Sequence, residues 1–157
     1  MTRLMLSILI CALVMCPVRT FAGLREAKTA YDAMHYDKAL DELEPLARQN
    51  DPEAQFFMGW MYHNGYGVRK NHQTAVKWYL SAALQGHARA QFMLGTMCLH
   101  GDGIQQNDAE GVVWFRMAAK QGYAPAQRAM GLLHENGTAV SQDYTEAISW
   151  YRKAAGL

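Results

Sequence analysis

Histidines near the ends of three predicted helices are the side chains of this sequence best suited to metal chemistry. They are His63, His100 and His134. A metal ion needs ligands that converge on it at about 2 Å. The sequence repeats every 36 residues, and the three histidines occupy different positions of that repeat. Their side chains should therefore point in different directions around a helical stack. We expect polar surface or groove-lining histidines, with no metal or other cofactor.

Cys98 is the candidate for thiol chemistry. A nucleophilic cysteine needs an exposed thiol with a base beside it. His134 holds the equivalent position one repeat later, and equivalent positions are separated by a whole repeat. The first repeat has an aromatic residue, Tyr62, at this position, which is typical of a buried site where a free cysteine packs as a small hydrophobic residue. The sequence therefore predicts a structural role for Cys98.

Composition and charge limit the function classes. The chain of 157 residues has the length of one domain, and its hydrophobic content of 50% is enough to build a core. If residues 1–22 are removed, Arg3 and Arg19 are lost from the 15 basic residues, and the remaining 13 face 14 acidic ones. The formal charge is then −1. Because no cluster of Lys and Arg is available to bind phosphates, we expect no nucleic-acid partner.

The first 22 residues have the order of a secretory signal peptide. Arg3 supplies the positive start, an apolar run covers 4–15, and Pro17 ends it before Ala22, a small residue suited to the cleavage position. A membrane helix is the alternative, but it needs about 20 apolar residues. We expect cleavage before Gly23, a periplasmic or secreted protein, and no stable membrane insertion after the signal is removed.

A period of 36 residues organises the rest of the chain. The recurring elements are Ala54-Gln55, Ala90-Gln91 and Ala126-Gln127; Gly59, Gly95 and Gly131; and Trp78-Tyr79, Trp114-Phe115 and Trp150-Tyr151. Each repeat is predicted to contain two helices: helix A over 52–64, 88–100 and 124–136, and helix B over 72–85, 108–121 and 144–155. Glycine-rich bends separate them, because glycine tolerates the positive φ that ends a helix. The third bend departs from this pattern, with Thr138-Ala139.

Helix B shows signals for its start and for its buried face. Asn107 and Asp143 precede Glu110 and Glu146 by three positions, the arrangement of an N-terminal cap. Apolar residues then recur at i, i+3, i+4 and i+7, the spacing of a stripe that faces a neighbouring helix. In the first repeat the stripe is Ala75, Trp78, Tyr79, Ala82 and Ala83. We expect the tryptophans to pack between units, Trp114 most tightly because it lies in the middle one.

The residues over 54–86 resemble a known repeat. They read Ala-x-x-x-Met-Gly-x-x-Tyr-x-x-Gly-x-Gly-Val and then Ala-x-x-Trp-Tyr-x-x-Ala-Ala-x-x-Gly, a pattern similar to the Sel-one-like repeat (SLR) family, which is related to the tetratricopeptide repeat. The resemblance covers 52–157 as units 52–87, 88–123 and 124–157, and 23–51 is similar to a divergent first unit. It implies an all-α, right-handed α/α solenoid of helix-turn-helix repeats that binds other proteins, with exported scaffolds and regulators among bacterial members.

The resemblance also implies an alternative function. Some cysteine-rich members of this repeat class are associated with β-lactam binding or hydrolysis, so an exported hydrolase or β-lactam-binding protein has to be considered. Those relatives join their units by paired cysteines, which 23–157 lacks. Ser81, Ser141 and Ser149 have no Lys three positions later, as the serine motif of penicillin-recognising enzymes requires. We therefore predict that the protein is not an enzyme.

Partner-binding residues are predicted on helix A, at positions outside the repeat's packing signature. By resemblance to tetratricopeptide repeats, this stripe lines the concave side of the solenoid and holds a protein or peptide, with Trp60 as the leading anchor. An apolar strip edged by polar groups is typical of a partner site; the alternative is that the superhelix covers the strip itself. The residues are Glu53, Phe56, Trp60 and His63, then Arg89, Phe92, Leu99 and His100, and then Arg128, Leu132 and Glu135.

Two features depart from the family pattern. Pro45 would break a continuous helix, so we expect a bend before Leu46. The third unit reaches Gly156-Leu157 with no following helix to cover its stacking face, and solenoids usually need a polar closing element there. We expect this C-terminal end to fray, or to pair with another surface, a second copy in a homodimer included.

Overall fold

The computed structural model describes residues 22–157, which form eight helices and no strand. The predicted signal peptide lies outside the described residues, apart from Ala22. The helices are α1 (22–32), α2 (Tyr36–Arg48), α3 (Pro52–Asn64), α4 (His72–Leu84), α5 (Ala88–His100), α6 (Asp108–Lys120), α7 (Ala124–Asn136) and α8 (Tyr144–Ala155). None of these helices is long and apolar enough to cross a bilayer.

Helices pack in chain order, which is the arrangement of a solenoid. The closest pairs are α3 with α4, α5 with α6 and α7 with α8, and each pair also packs on the one before it. The prediction of an all-α solenoid with a period of 36 residues is confirmed. We call the three pairs the first, second and third unit; α1 and α2 form the divergent unit before them.

Each helix B begins at a capped residue, as the sequence predicts for the second and third units. Asn71 accepts a hydrogen bond from the Thr74 amide (3.0 Å), and Asn107 accepts one from the Glu110 amide (3.1 Å). Asp143 accepts from two amides at the start of α8. These bonds satisfy amides that have no partner within the helix, which fixes where the helix starts.

The bend between helices A and B keeps one backbone shape in all three units. Gly67, Gly103 and Ala139 hold positive φ at 67°, 70° and 58°, so the third bend forms although an alanine replaces glycine. A Cβ added to Gly103 would lie 2.4 Å from the backbone of His72. The bend of the second unit therefore rests directly on the start of helix B in the first, and only glycine allows this approach.

Helices A and B of one unit meet where a glycine faces an aromatic ring. A Cβ added to Gly59, Gly95 or Gly131 would lie 2.6 to 2.7 Å from the ring of Tyr79, Phe115 or Tyr151. Tyr79 and Phe115 are buried, whereas Trp78 and Trp114 are only half-buried. The expectation that Trp114 packs most tightly is therefore wrong: in the first two units the second aromatic of the pair fills the core, because it is the one that lies on the glycine. The third unit differs, since Trp150 is buried and Tyr151 is half-buried.

A buried glutamine joins each unit to the preceding one. Its side-chain amide donates a hydrogen bond to a backbone carbonyl near the end of the preceding helix, with a length of 3.1 Å in all three units. The pairs are Gln55 with Ala47, Gln91 with Ala83, and Gln127 with Ala119. In the first two units, a second glutamine just after helix B of the same unit donates a hydrogen bond to the side-chain oxygen of the first. Gln85 donates to Gln55 (2.8 Å) and Gln121 donates to Gln91 (2.7 Å). We call this arrangement the glutamine clamp. It explains why the Ala-Gln pair recurs.

Pro45 lies inside α2, which continues to Arg48. The predicted bend before Leu46 is therefore wrong. A proline removes one backbone hydrogen bond of the helix, and here it does so in the last turns, on the exposed side. Leu43, Leu46 and Ala47 are buried in the core on the other side, and their packing keeps the helix intact.

Candidate functional site

The predicted helix A stripe divides into residues that pack on the following unit and residues that remain accessible. Phe56 belongs to the first group: it is 2% exposed and its ring lies 5.0 Å from the His87 ring and 5.7 Å from the Tyr79 ring, measured between centroids. The expectation that Phe56 is exposed in a groove is therefore wrong. The second unit covers it because position 56 faces along the solenoid axis.

Phe92 and Leu99 occupy a similar place between the second and third units. Both are half-buried and pack against the core that the second and third units share. The Phe92 ring lies 5.4 Å from Phe115 and 5.6 Å from Tyr123. Phe92 is therefore part of the core as well as of the predicted partner-binding stripe. His100 is exposed at the end of α5, where its Nδ1 donates to the Thr96 carbonyl (2.8 Å).

Trp60 is half-buried and held in one orientation. Its Nε1 donates to the hydroxyl oxygen of Tyr31 in α1 (2.8 Å). The Tyr31 ring in turn makes an edge contact with Phe57, with centroids 6.1 Å apart. Tyr31, Phe57 and Trp60 thus form a continuous surface, which we call the aromatic patch. Sequence reasoning missed Tyr31 and Phe57, although Phe57 is one helical turn after Glu53.

Two cations border the aromatic patch. Lys28 Nζ lies 5.2 Å from the centroid of the Phe57 ring, and the Arg89 guanidinium lies 5.7 Å from it. Their side chains are 43% and 47% exposed. Cations at these distances are attracted by the face of the ring, so the border is ordered while its charges still reach solvent.

Glu53 ties these cations to the solenoid. Its Oε1 accepts from Lys28 (2.8 Å), its Oε2 from His87 Nε2 (2.7 Å), and Arg89 lies 3.7 Å away. The His87 hydrogen bond is the largest cause that lowers the pKa of Glu53 to about 2, with Lys28 adding to it and partial burial opposing both. His87 Nδ1 accepts from the Ala90 amide (3.2 Å), which leaves Nε2 to donate to the carboxylate. The carboxylate therefore connects α1, α3 and α5.

His63 pairs with a residue that sequence reasoning missed. Its ring stacks on His72, with centroids 4.9 Å apart and planes 6° from parallel. Burial is the largest cause that lowers the pKa of His63, followed by the charges of His72 and Lys70. The Nδ1 of His63 and the Nε2 of His72 are buried without hydrogen-bond partners in the described residues, and so is the Tyr79 hydroxyl. No group of three His, Cys, Asp or Glu within 22–157 is arranged to hold a metal.

Cys98 is fully buried. Burial, followed by the charge of Glu110, raises the pKa of the thiol to about 11. The group is therefore a thiol, and not a thiolate, at neutral pH, which supports a packing role.

Comparisons with known proteins identify the repeat. The Sel1 repeat model matches residues 52–87, 88–123 and 124–157. The chain belongs to the Sel1 repeat family. This confirms the resemblance found in the sequence, and Sel1 repeat proteins commonly act as non-catalytic scaffolds for protein interactions. No curated protein matches the chain in sequence.

Solved structures show the same fold. The Sel1 repeat protein from Oxalobacter formigenes is 41% identical with a TM-score of 0.81, over 85% of this chain and 55% of that one. The antigen c5321 of uropathogenic Escherichia coli, which displays an SLR fold, is 36% identical with a TM-score of 0.82, over 87% of this chain and 30% of that one. This Sel1 chain therefore spans about half of the first structure and less than a third of the second. MamA, at 19% identity and a TM-score of 0.58, shares the fold alone.

The third Sel1 unit differs from the other two at the predicted partner-binding positions. Arg128, Leu132 and Glu135 are all exposed, Leu132 by 53%. Tyr151 donates a hydrogen bond from its hydroxyl to Glu135 Oε2 (2.6 Å), which raises the pKa of Tyr151. These side chains lie on the third unit, away from the aromatic patch on α1 and α3.

Proposed function

We propose that the protein is an exported, non-catalytic adaptor that binds a segment of another protein on the aromatic patch. The observation that carries the proposal is the ordered surface of Tyr31, Phe57 and Trp60 with Lys28 and Arg89 at its border. Aromatic and Arg side chains on a rigid support dominate protein interfaces. The export part of the proposal depends on residues 1–22.

The charges at the patch favour a partner with acidic side chains. Glu53 is the carboxylate beside Lys28 and Arg89, and its two oxygens already accept hydrogen bonds. Lys28 and Arg89 each keep nearly half of the side chain exposed. A partner that places an apolar residue against Trp60 and a carboxylate beside Arg89 would fit both parts of the surface.

In-cell crosslinking tests the binding site. A photoreactive residue is placed at His100, which is exposed on helix A of the second unit, and at Leu84, which is 71% exposed on helix B, as the matched control. We expect a protein to be captured from position 100 and not from position 84, and capture to be lost in Trp60→Ala and Arg89→Glu. Equal capture from both positions, or capture that survives both substitutions, would contradict the proposal.

The captured partner then allows affinity to be measured. We expect Trp60→Ala to weaken binding about thirtyfold, since an anchor of this kind contributes about 2 kcal/mol and each 1.4 kcal/mol is a factor of ten. Trp60→Phe keeps an aromatic ring but loses the hydrogen bond to the Tyr31 hydroxyl, so it should weaken binding less than Trp60→Ala does. N-terminal sequencing of the protein outside the cytoplasm tests export, with Gly23 as the expected first residue; an intact Met1 in the membrane fraction would show an anchor instead.

A further inference from the structure

The outer face of the third unit carries residues that do not suit repeat stacking. Phe56 of the first unit and Phe92 of the second unit both pack on the unit that follows. The equivalent residue of the third unit is Arg128. Leu99 of the second unit also packs against the core that it shares with the third unit, and the third unit has Glu135 at the equivalent position. Burying these two charges under a further repeat without partners would be costly.

The glutamine clamp is also incomplete in the third unit. Gln85 and Gln121 close the clamp in the first two units, and the equivalent position 36 residues later is Leu157. Leu157 cannot donate the second hydrogen bond to Gln127. The third unit therefore keeps the bond from Gln127 to Ala119 of the preceding unit and lacks the second bond of the clamp.

The same face is nevertheless apolar between its charges. Residues 22–157 contain nine large hydrophobic side chains that are exposed, and four of them lie here: Leu132 (53%), Tyr144 (62%), Ile148 (53%) and Leu157 (89%). Val112, the equivalent of Ile148 in the second unit, is 5% exposed because the third unit covers it. A concentrated apolar surface of this kind marks an interaction site.

We propose that this face binds a second copy of the chain across a two-fold axis. Arg128, Leu132 and Glu135 follow one another along α7 at i, i+4 and i+7, on one side of the helix. In an antiparallel pair of α7 helices, Arg128 lies beside Glu135 of the partner subunit, and Glu135 lies beside Arg128 of the partner subunit. Leu132 lies within half a residue of the midpoint between Arg128 and Glu135, so Leu132 of one subunit meets Leu132 of the other at the two-fold axis. The stripe is complementary to itself, as an isologous interface requires.

The single chain leaves these charges available. Within residues 22–157, neither Arg128 nor Glu135 forms an ion pair. The Tyr151 hydroxyl binds Glu135 Oε2 and orients the carboxylate, so that Oε1 can accept from an arginine. Tyr144 and Ile148 lie on the adjacent α8 and extend the contact on both sides of the axis by symmetry.

Charge reversal tests the geometry. Sedimentation velocity of the protein purified from expression of the full sequence should show a concentration-dependent equilibrium between monomer and dimer. Arg128→Glu and Glu135→Arg each place like charges at two symmetry-related contacts, and each should weaken the dimer about tenfold or more. Arg116→Glu on the exposed side of α6 is the matched control and should leave it unchanged.

Mixing the two variants separates this pairing from other modes of association. Arg128→Glu protein mixed with Glu135→Arg protein should form a heterodimer, because both contacts are then between opposite charges, and the double variant should recover the homodimer. Circular dichroism should show unchanged helicity, since both side chains are exposed. A wild-type monomer at all concentrations, a ladder of higher oligomers from end-to-end stacking, or a mixture that stays monomeric would each overturn the proposal.

Discussion

Equivalent repeat positions have opposite surroundings in two regions of the molecule. They are covered at the junction between the first and second units, and they are exposed on the outer face of the third unit. At the junction, Phe56 is buried, and His63 is half-buried and stacks on His72 of its own unit. At the outer face, Arg128 and Glu135 replace them and are exposed. The helices themselves have the same lengths and bends in both regions. The positions that shape a hairpin are therefore distinct from those that decide what the hairpin contacts.

The largest effect is expected from the ring that shapes the hairpin. Phe115→Ala should reduce the free energy of unfolding by about 3 to 5 kcal/mol, because it removes a buried aromatic that lies on Gly95. Trp114→Ala should cost clearly less, because Trp114 is half-buried. Urea denaturation of the two variants decides the order, and a greater loss for Trp114→Ala would show that the tryptophans hold the core.

Helices were predictable from the sequence because their signals recur at a fixed interval. The predicted limits of helix A agree with the structure, and those of helix B differ by one residue at most. The burial of Phe56 was not predictable from helical spacing alone. Spacing places Phe56 on the same side of its helix as Trp60 but does not show what covers that side. The signal that this position is covered by the next unit was the change from Phe56 and Phe92 to Arg128 in the third unit. Lys28 and Tyr31 were missed because α1 does not follow the 36-residue register.

The glutamine clamp should distinguish an inner unit from the outer one. Gln91→Ala removes the bonds to both Ala83 and Gln121 and leaves buried polar groups without partners, so we expect a loss of about 1 to 3 kcal/mol. Gln127→Ala breaks only the bond to Ala119 and should cost less. Equal losses in thermal or urea unfolding would mean that the second bond of the clamp contributes nothing to stability.

The free energy of unfolding should decrease as the pH falls, first through His63 in an upper window that begins near pH 6.5 and then through Glu53 in a lower one that begins near pH 4.5. The pKa of His63 is lowered from 6.5, mainly by burial, so its contribution is present above pH 6.5 and is lost as the pH falls through the folded value. The pKa of Glu53 is about 2 against 4.5, chiefly because of the His87 hydrogen bond, so its contribution is present above pH 4.5 and is lost as the pH falls towards 2. Unfolding by urea at a series of pH values measures both losses.

Matched variants assign the two windows. His63→Leu, which copies the leucine that the second unit has at the equivalent position 99, should flatten the upper window alone. Glu53→Gln should flatten the lower one alone. If both windows persist in both variants, other groups cause the acid sensitivity.

A small gain in stability is expected from Tyr79→Phe. The Tyr79 hydroxyl is buried without a hydrogen-bond partner in the described residues, and burial raises its pKa. Phe115 fills the equivalent position of the second unit. Removing the hydroxyl should raise the free energy of unfolding by about 1 kcal/mol. A lower melting temperature would mean that the hydroxyl has a partner, such as a bound water.

Hydroxyl-radical footprinting tests the division of the two surfaces most directly, because it reports the solvent exposure of individual side chains. The oxidation rates of Phe57, Trp60, Leu132 and Ile148 are compared in the free protein, at low and high concentration, and in the complex with the captured partner. We expect the partner to protect Phe57 and Trp60 and to leave Ile148 unchanged, whereas a higher protein concentration alone should protect Leu132 and Ile148. Protection of Ile148 by the partner, with Trp60 unchanged, would instead place the binding site on the third unit.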